Sequence, residues 1–298
     1  MRLRNAVIGF SILIITLVFF GNVFNRQEVT KAVKKKENIA RNAFLGMKLS
    51  AKAAYAYDVA RKKVLYEKNA DFALPIASLT KLMTALTALS EAPRKTIVTI
   101  GRESLEEEGD TGLLADERWP LDSLLEFTLL TSSNDGAAAV ASAIGSLGKI
   151  EFIEKMNAAA KENGFKDAYF FNETGLDENE ESAGAYASAK GVAGIMEKLI
   201  LDYPDILEAT AYPLGTFYSE NNKVHNAENT NKSVEEIPGI FASKTGFTDL
   251  AGGNLAIAFD AGLGQPVIVV VLGGTREGRF SDALELSKRA REAIRLGL

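Results

Sequence analysis

Pro266-Val267-Ile268-Val269-Val270-Val271-Leu272 is the stretch on which the fold turns. Its run of β-branched residues suits a pleated strand buried on both faces and leaves no polar side for water. Upstream, Asn254 to Phe259 has the same character, and the strand pattern begins at Ile240. Downstream, Asp282 to about Arg295 reads as a closing amphipathic helix. Near the other end of the chain, Ala53-Ala54-Tyr55-Ala56-Tyr57-Asp58-Val59-Ala60 and Val64-Leu65-Tyr66-Glu67 flank the polar turn Arg61-Lys62-Lys63, which reads as a β-hairpin. Between these ends, Ser78 to about Lys198 is mostly helices and loops. Leu79, Leu82, Met83, Leu86 and Leu89 recur at helical spacing, and Leu121, Leu124, Leu125, Phe127 and Leu129 do so less regularly. The expected fold is α+β, with an antiparallel sheet built from N- and C-terminal strands and flanked by a helical middle region.

The chain has 298 residues, 47% of them apolar, enough for a sizeable core. A net charge of -5 and the lack of a basic, aromatic-rich segment exclude a nucleic-acid surface. There are no cysteines, so thiol catalysis, thiolate metal sites and disulfides are excluded. The single histidine, His225, lies in a polar segment and reads as a surface residue; no His-rich zinc centre can be built from it. Neither a metal nor an organic cofactor is implied. Trp119, in Glu117-Arg118-Trp119-Pro120, reads as packing.

Arg2 and Arg4 precede a charge-free segment from Ala6 to Phe24. As a helix it would be roughly 28 Å long, close to the hydrocarbon thickness of a bilayer. It is longer than the apolar core of a cleavable signal peptide and lacks a small-x-small site, so an uncleaved N-terminal transmembrane helix is expected over 1–26. The positive flank after it, including Lys34, Lys35 and Lys36, runs against a simple charge-bias rule, which large domains override. Residues 27–47 read as a charged stalk and 48–298 as the main domain, expected on the outer side of the membrane.

In Ile76-Ala77-Ser78-Leu79-Thr80-Lys81, a serine stands three residues before a lysine at the start of an apolar helical run. That spacing brings a hydroxyl and an amine onto one helical face. The S-x-x-K pattern recurs at Ser146-Leu147-Gly148-Lys149, where Gly148 weakens a helix and no companion motifs follow. Ser132-Ser133-Asn134 is likewise matched by Ser219-Glu220-Asn221, which reads as a polar turn, whereas Lys244-Thr245-Gly246 is single. The ordered set Ser78-x-x-Lys81, Ser132-x-Asn134 and Lys244-Thr245-Gly246 carries the information, since each falls at a helix start, an interhelical loop or a strand edge.

With these motifs, and with Phe171-Asn172-Glu173-Thr174-Gly175-Leu176-Asp177 and Asn229-Thr230-Asn231, the sequence resembles the low-molecular-weight penicillin-binding proteins, the serine D-alanyl-D-alanine carboxypeptidases. The resemblance covers nearly all of the chain after the stalk. It implies Ser78 as nucleophile, with Lys81 as its base once burial and a second cation, Lys244, lower the amine's pKa. It places Ser132 between the two lysines as a proton relay and Asn134 on the substrate amide. Lys244 and Thr245 are expected to bind the terminal carboxylate, Gly246 to let the substrate lie along the strand, and the backbone N–H of Phe247 to complete an oxyanion hole with that of Ser78. The implied partners are stem peptides ending in D-Ala-D-Ala, with β-lactams as covalent inhibitors.

Four departures from that family stand out. Ser133 replaces a common glycine and is expected to put a side chain near the site; Lys190-Gly191 replaces Arg-Asp; Thr230 stands where some members carry an arginine; and the C-terminal β-domain of many members is missing. The alternatives are a D,D-endopeptidase using the same residues, a β-lactamase, and a non-catalytic wall-binding scaffold. The E-x-x-L-N pattern of class A β-lactamases does not occur, and two lysines around a serine have no use in a pure scaffold.

Overall fold

The computed structural model describes residues 42–145, 148–262 and 264–297. The expected transmembrane helix and most of the stalk lie outside them. Residues 46–291 form one compact unit; a second unit contributes, among the described residues, the short 3₁₀ turn Asn42–Phe44 and the segment after Arg291.

The central sheet has the expected composition. Strands β1 (Ala53–Asp58) and β2 (Lys63–Lys68) form the N-terminal hairpin, and the C-terminal strands β10 (Ile240–Thr248), β11 (Gly252–Asp260) and β12 (Pro266–Gly274) complete an antiparallel sheet in the order β10-β11-β12-β1-β2. Val267 to Leu272 are fully buried, as a central strand covered on both faces requires. β10 is an edge strand, so one of its sides has no neighbouring strand.

Six helices lie among the described residues: α1 (Thr80–Glu91), α2 (Leu121–Thr131), α3 (Asn134–Ile144), α4 (Lys149–Glu162), α5 (Ala189–Asp202) and α6 (Gly278–Arg295). The last starts one turn earlier than expected, because Thr275 accepts the Gly278 N–H with its side chain and stops the chain from leaving β12 as a loop. α1 is buried all round from Thr80 to Leu89 and packs against α2, α3, α4 and α5. A polar side chain on this helix is therefore taken out of water whichever way it points. Short strands complete the middle region: β3 (Leu74–Pro75), β6 (Tyr169–Phe170) and β7 (Ala185–Ala187) form a small sheet; β4 (Ile97–Thr99) pairs with β5 (Arg118–Pro120), and β8 (Leu214–Tyr218) with β9 (Val224–Glu228).

His225 is not at the surface. In β9 it alternates with exposed Val224 and Asn226, so it points inward, where its ring meets Trp119 and Phe127 at 5.1 and 5.7 Å and Nε2 lies 3.1 Å from Glu117 Oε1. Trp119 is fully buried, as expected of packing.

Candidate active site

Ser78 sits in a single 3₁₀ turn, Ala77–Leu79, wedged between β3 and α1. Three contacts hold that turn. The Ile76 N–H donates to Ala185 O on β7 (3.2 Å), Asn254 Nδ2 on β11 donates to Pro75 O (3.2 Å), and Thr80 Oγ1 donates to Ala77 O (2.6 Å). Ala77 is left-handed, with φ of 48°, a conformation unfavourable for a residue bearing a Cβ and held only by its surroundings. Gly175 supplies part of that support: any Cβ there would come within 2.0 Å of Ala77 O.

The turn leaves Ser78 half-exposed and directs Lys81, 1% exposed on the first turn of α1, back at it. Lys81 Nζ donates to Ser78 Oγ (3.1 Å), Asn134 Oδ1 (2.6 Å) and Thr174 O (2.8 Å). Burial pushes its pKa down to about 7, against the charges of Glu173 and Glu107, which raise it. Burial in α1 is the main cause, as the sequence expectation had it. Burial, then the charges of Lys81 and Arg279, hold Lys244 well below the ordinary lysine value, and the repulsion between the two lysines is mutual.

Lys244 and Thr245 are buried residues of the edge strand β10. Lys244 Nζ donates to Ser132 Oγ (2.8 Å) and Thr245 O (2.9 Å). Ser132 is presented by its own left-handed backbone, φ of 63°, where α2 ends. Its hydroxyl thus sits on the Lys244 side, and the three acceptors of Lys81 are Ser78, Asn134 and Thr174. Thr245 Oγ1 donates to Thr230 Oγ1 (2.6 Å), so the threonine that replaces a family arginine partners the motif threonine.

Gly246 has a different reason for being glycine than the one expected. A Cβ on it would meet Ile76 O at 2.7 Å and Ser78 N at 3.2 Å, so the missing side chain lets β10 lie directly on the Ser78 turn. Phe247 follows, half-buried under the Arg276 guanidinium, which lies 4.1 Å from the ring centroid. Ser133 does not crowd the cleft: it is fully buried, caps α3 by accepting the Gly136 N–H (3.0 Å), and its hydroxyl is 2.7 Å from Thr111 Oγ1. Lys190, from the Lys190-Gly191 departure, pairs with Asp71 (2.8 Å) and Glu67 (3.3 Å).

Sequence reasoning missed one cation. Arg279, on the first turn of α6, donates from Nη1 to Gly246 O (2.8 Å), while its buried Nε has no partner. Burial lowers its pKa, and its charge reaches Lys244. The run Thr275-Arg276-Glu277-Gly278-Arg279 carries no motif that marks it.

A sequence profile of S11 peptidases, described as D-alanyl-D-alanine carboxypeptidase, matches residues 36–276. The chain belongs to this family. It is similar to the D-alanyl-D-alanine carboxypeptidase DacF of Bacillus subtilis, 31% identical over 242 residues, covering 79% of this chain and 61% of DacF. The chain thus spans less than two thirds of that relative. It is 29% identical over 253 residues to a D-alanyl-D-alanine endopeptidase of Pseudomonas aeruginosa, covering 82% of this chain and 78% of that one. Its fold matches penicillin-binding protein D2 of Listeria monocytogenes, solved in a cefotaxime-bound form, with a TM-score of 0.70, 32% identity, and coverage of 82% of this chain and 98% of that one. The family is the one the motifs and the later sequence blocks resembled, and the α+β fold is the one the strand and helix patterns led to expect.

Proposed function

We propose that this S11 peptidase removes the terminal D-alanine of peptidoglycan stem peptides through an acyl-enzyme on Ser78, and that β-lactams acylate the same hydroxyl. The observation that carries the reading is the trio of contacts at Lys81. A neutral amine has two N–H donors and one lone pair. Asn134 Oδ1 and Thr174 O take the two donors, which leaves the lone pair aimed at the Ser78 hydroxyl 3.1 Å away. With its pKa lowered to about 7, the amine is neutral often enough to take that proton.

The steps follow from these positions. Ser78 Oγ attacks the carbonyl carbon of the penultimate D-alanine while its proton moves to Lys81. The oxyanion is stabilised by the Ser78 and Phe247 backbone N–H groups. As the tetrahedral adduct collapses, the C–N bond breaks and the leaving nitrogen takes a proton from Ser132, which Lys244 adjoins, while the proton held by Lys81 passes on to Ser132, so that both groups end as they began. Water then attacks the ester, with Lys81 again as base, and releases the shortened peptide. Asn134 orients the substrate amide as well as Lys81. The substrate carboxylate is held by Lys244 and Thr245, and the Arg279 guanidinium, hydrogen-bonded to Gly246 O, adds positive charge beside Lys244. A carboxylate arriving at Lys244 also favours that lysine's charged form.

An endopeptidase activity on crosslinked peptides is the second reading, favoured by the similarity to the Pseudomonas endopeptidase. Release of D-alanine from an uncrosslinked pentapeptide, compared with cleavage of a crosslinked dimer, decides between them: carboxypeptidase action predicts faster D-alanine release, and preferential dimer cleavage contradicts it.

We also propose that residues 1–26 anchor the protein in the membrane, that 27–47 form a stalk and that 48–298 face the cell wall. Ala6 to Phe24 supports this by length and composition. Among the described residues, no single helix is long and apolar enough to cross a membrane. Fractionation of cells before and after carbonate extraction tests the anchor; release of the full-length chain into the soluble fraction contradicts it.

A further inference from the structure

Lys149, the lysine of the second S-x-x-K pattern, was set aside in the sequence. It starts α4 and reaches toward the site from outside. Its Nζ lies 2.6 Å from Glu107 Oε1 and 3.2 Å from Glu173 Oε1. The Glu173 side chain is 3% exposed, and among the described residues Lys149 is its one ion-pair partner. Burial works against the Lys149 ammonium, but the hydrogen bond and charges of the two carboxylates outweigh it.

The residues next to these carboxylates supply carbonyl oxygens to the catalytic centre. Glu108 O accepts from Asn134 Nδ2 (2.5 Å), and Thr174 O accepts from Lys81 Nζ (2.8 Å). Asn134 Oδ1 closes the remaining gap to Lys81 (2.6 Å). The contacts therefore form a ring: Lys149, Glu107 and Glu108, Asn134, Lys81, Thr174 and Glu173, and Lys149 again. Glu173 O also accepts from Thr84 Oγ1 (2.6 Å), which fixes its backbone to α1 one turn beyond Lys81.

We infer that Lys149 is a positioning residue for the catalytic centre: it ties together the two segments that hold Asn134 and Lys81, and it neutralises the buried Glu173 carboxylate beside the base. The charged groups around Lys81 are Glu173, Glu107 and Lys149 on one side and Lys244 on the other. Asp135, next to Asn134 on α3, has its pKa raised to about 6 by burial and by Asp110, with Glu107 adding to it. Removing Lys149 leaves Glu173 as an unpaired buried charge, which favours a proton on Lys81 and so disables it as a base.

The test uses the full chain in detergent and the second-order rate of acylation by a fluorescent penicillin from pH 5 to 9, with thermal melting as a check of folding. It rests on the Ser78 and Lys81 reading above. Lys149→Met is expected to move the acid limb up by about one pH unit, so acylation is about tenfold slower at pH 6 and nearly unchanged at pH 9. Lys149→Arg keeps the wild-type limb, and Lys149→Met with Glu173→Gln brings the limb back. A loss of equal size at every pH, with the limb unmoved and not restored in the double variant, overturns the inference, as does a limb that never moves. If Lys149→Met does not fold, Glu173→Gln alone must move the limb toward lower pH, and an unmoved limb there overturns it equally. A wild-type chain that forms no Ser78 adduct defeats the functional reading itself, whereas a wild-type limb with unmoved variants defeats only the role of Lys149.

Discussion

Lowering the pH from 9 to 5 perturbs the proposed base without changing a residue. Lys81 is held at about 7 against an ordinary value of 10.5. At pH 7 about half of the amine is then neutral, where an ordinary lysine would be neutral in only about one molecule in 3,000. Burial in α1 thus supplies roughly three orders of magnitude in available base, part of it returned as lower basicity. The acylation rate should be level above about pH 8 and fall about tenfold per pH unit below 6. Stopped-flow or quenched labelling with a fluorescent penicillin reads this directly. A rate that is flat from pH 5 to 8, or one that keeps climbing to pH 10, refutes burial as the cause. The same displacement acts on stability. The folded pKa lies below the unfolded one, so between about 7 and 10.5 the unfolded chain binds a proton that the native one does not, and stability rises with pH across that window. Below it the cost is 3.5 pH units (10.5 minus 7), or about 5 kcal/mol. Lys81→Met removes that cost but leaves the Asn134 and Thr174 acceptors unpaired. It is expected to abolish acylation while changing stability by less than about 2 kcal/mol.

Three further outcomes are expected. Gly246→Ala places a Cβ 2.7 Å from Ile76 O, pushing β10 off the Ser78 turn; acylation should drop by at least about a hundredfold, with about 1–3 kcal/mol lost in chemical denaturation. Arg279→Gln removes a charge from the carboxylate side and should raise KM for a D-Ala-D-Ala tripeptide about tenfold with a smaller change in kcat, measured by D-alanine release. Lys190→Ala breaks pairs whose carboxylates are more than half exposed, so melting should show a loss below about 1 kcal/mol and acylation should be unchanged.

The strand-rich ends and the helical middle were legible because their side-chain periods are local: Val267 to Leu272 has no polar face, and Leu79 to Leu89 repeats at helical spacing. The motif residues were legible because their types and order are chemically constrained. What escaped depends on tertiary approach. The requirement for glycine at 246 arises from the Ile76 carbonyl, far away in sequence. Arg279 lies in a polar run that carries no motif and Lys149 in an S-x-x-K pattern without companions, and only the packing of α6 and α4 brings them to the site. His225 was misplaced because the segment as a whole is polar, although its alternation with Val224 and Asn226 puts it on the inner face. The left-handed Ala77 has no sequence signature, since alanine gives no local reason to adopt it.

The central claim is that Ser78 forms a covalent acyl-enzyme. Its most direct test is the intact mass of the full chain in detergent after brief exposure to benzylpenicillin, with Ser78→Ala alongside. The account predicts a mass increase of one drug molecule in the wild type and none in the variant. A wild-type chain left unmodified beside intact drug, or an adduct that persists in Ser78→Ala, contradicts it.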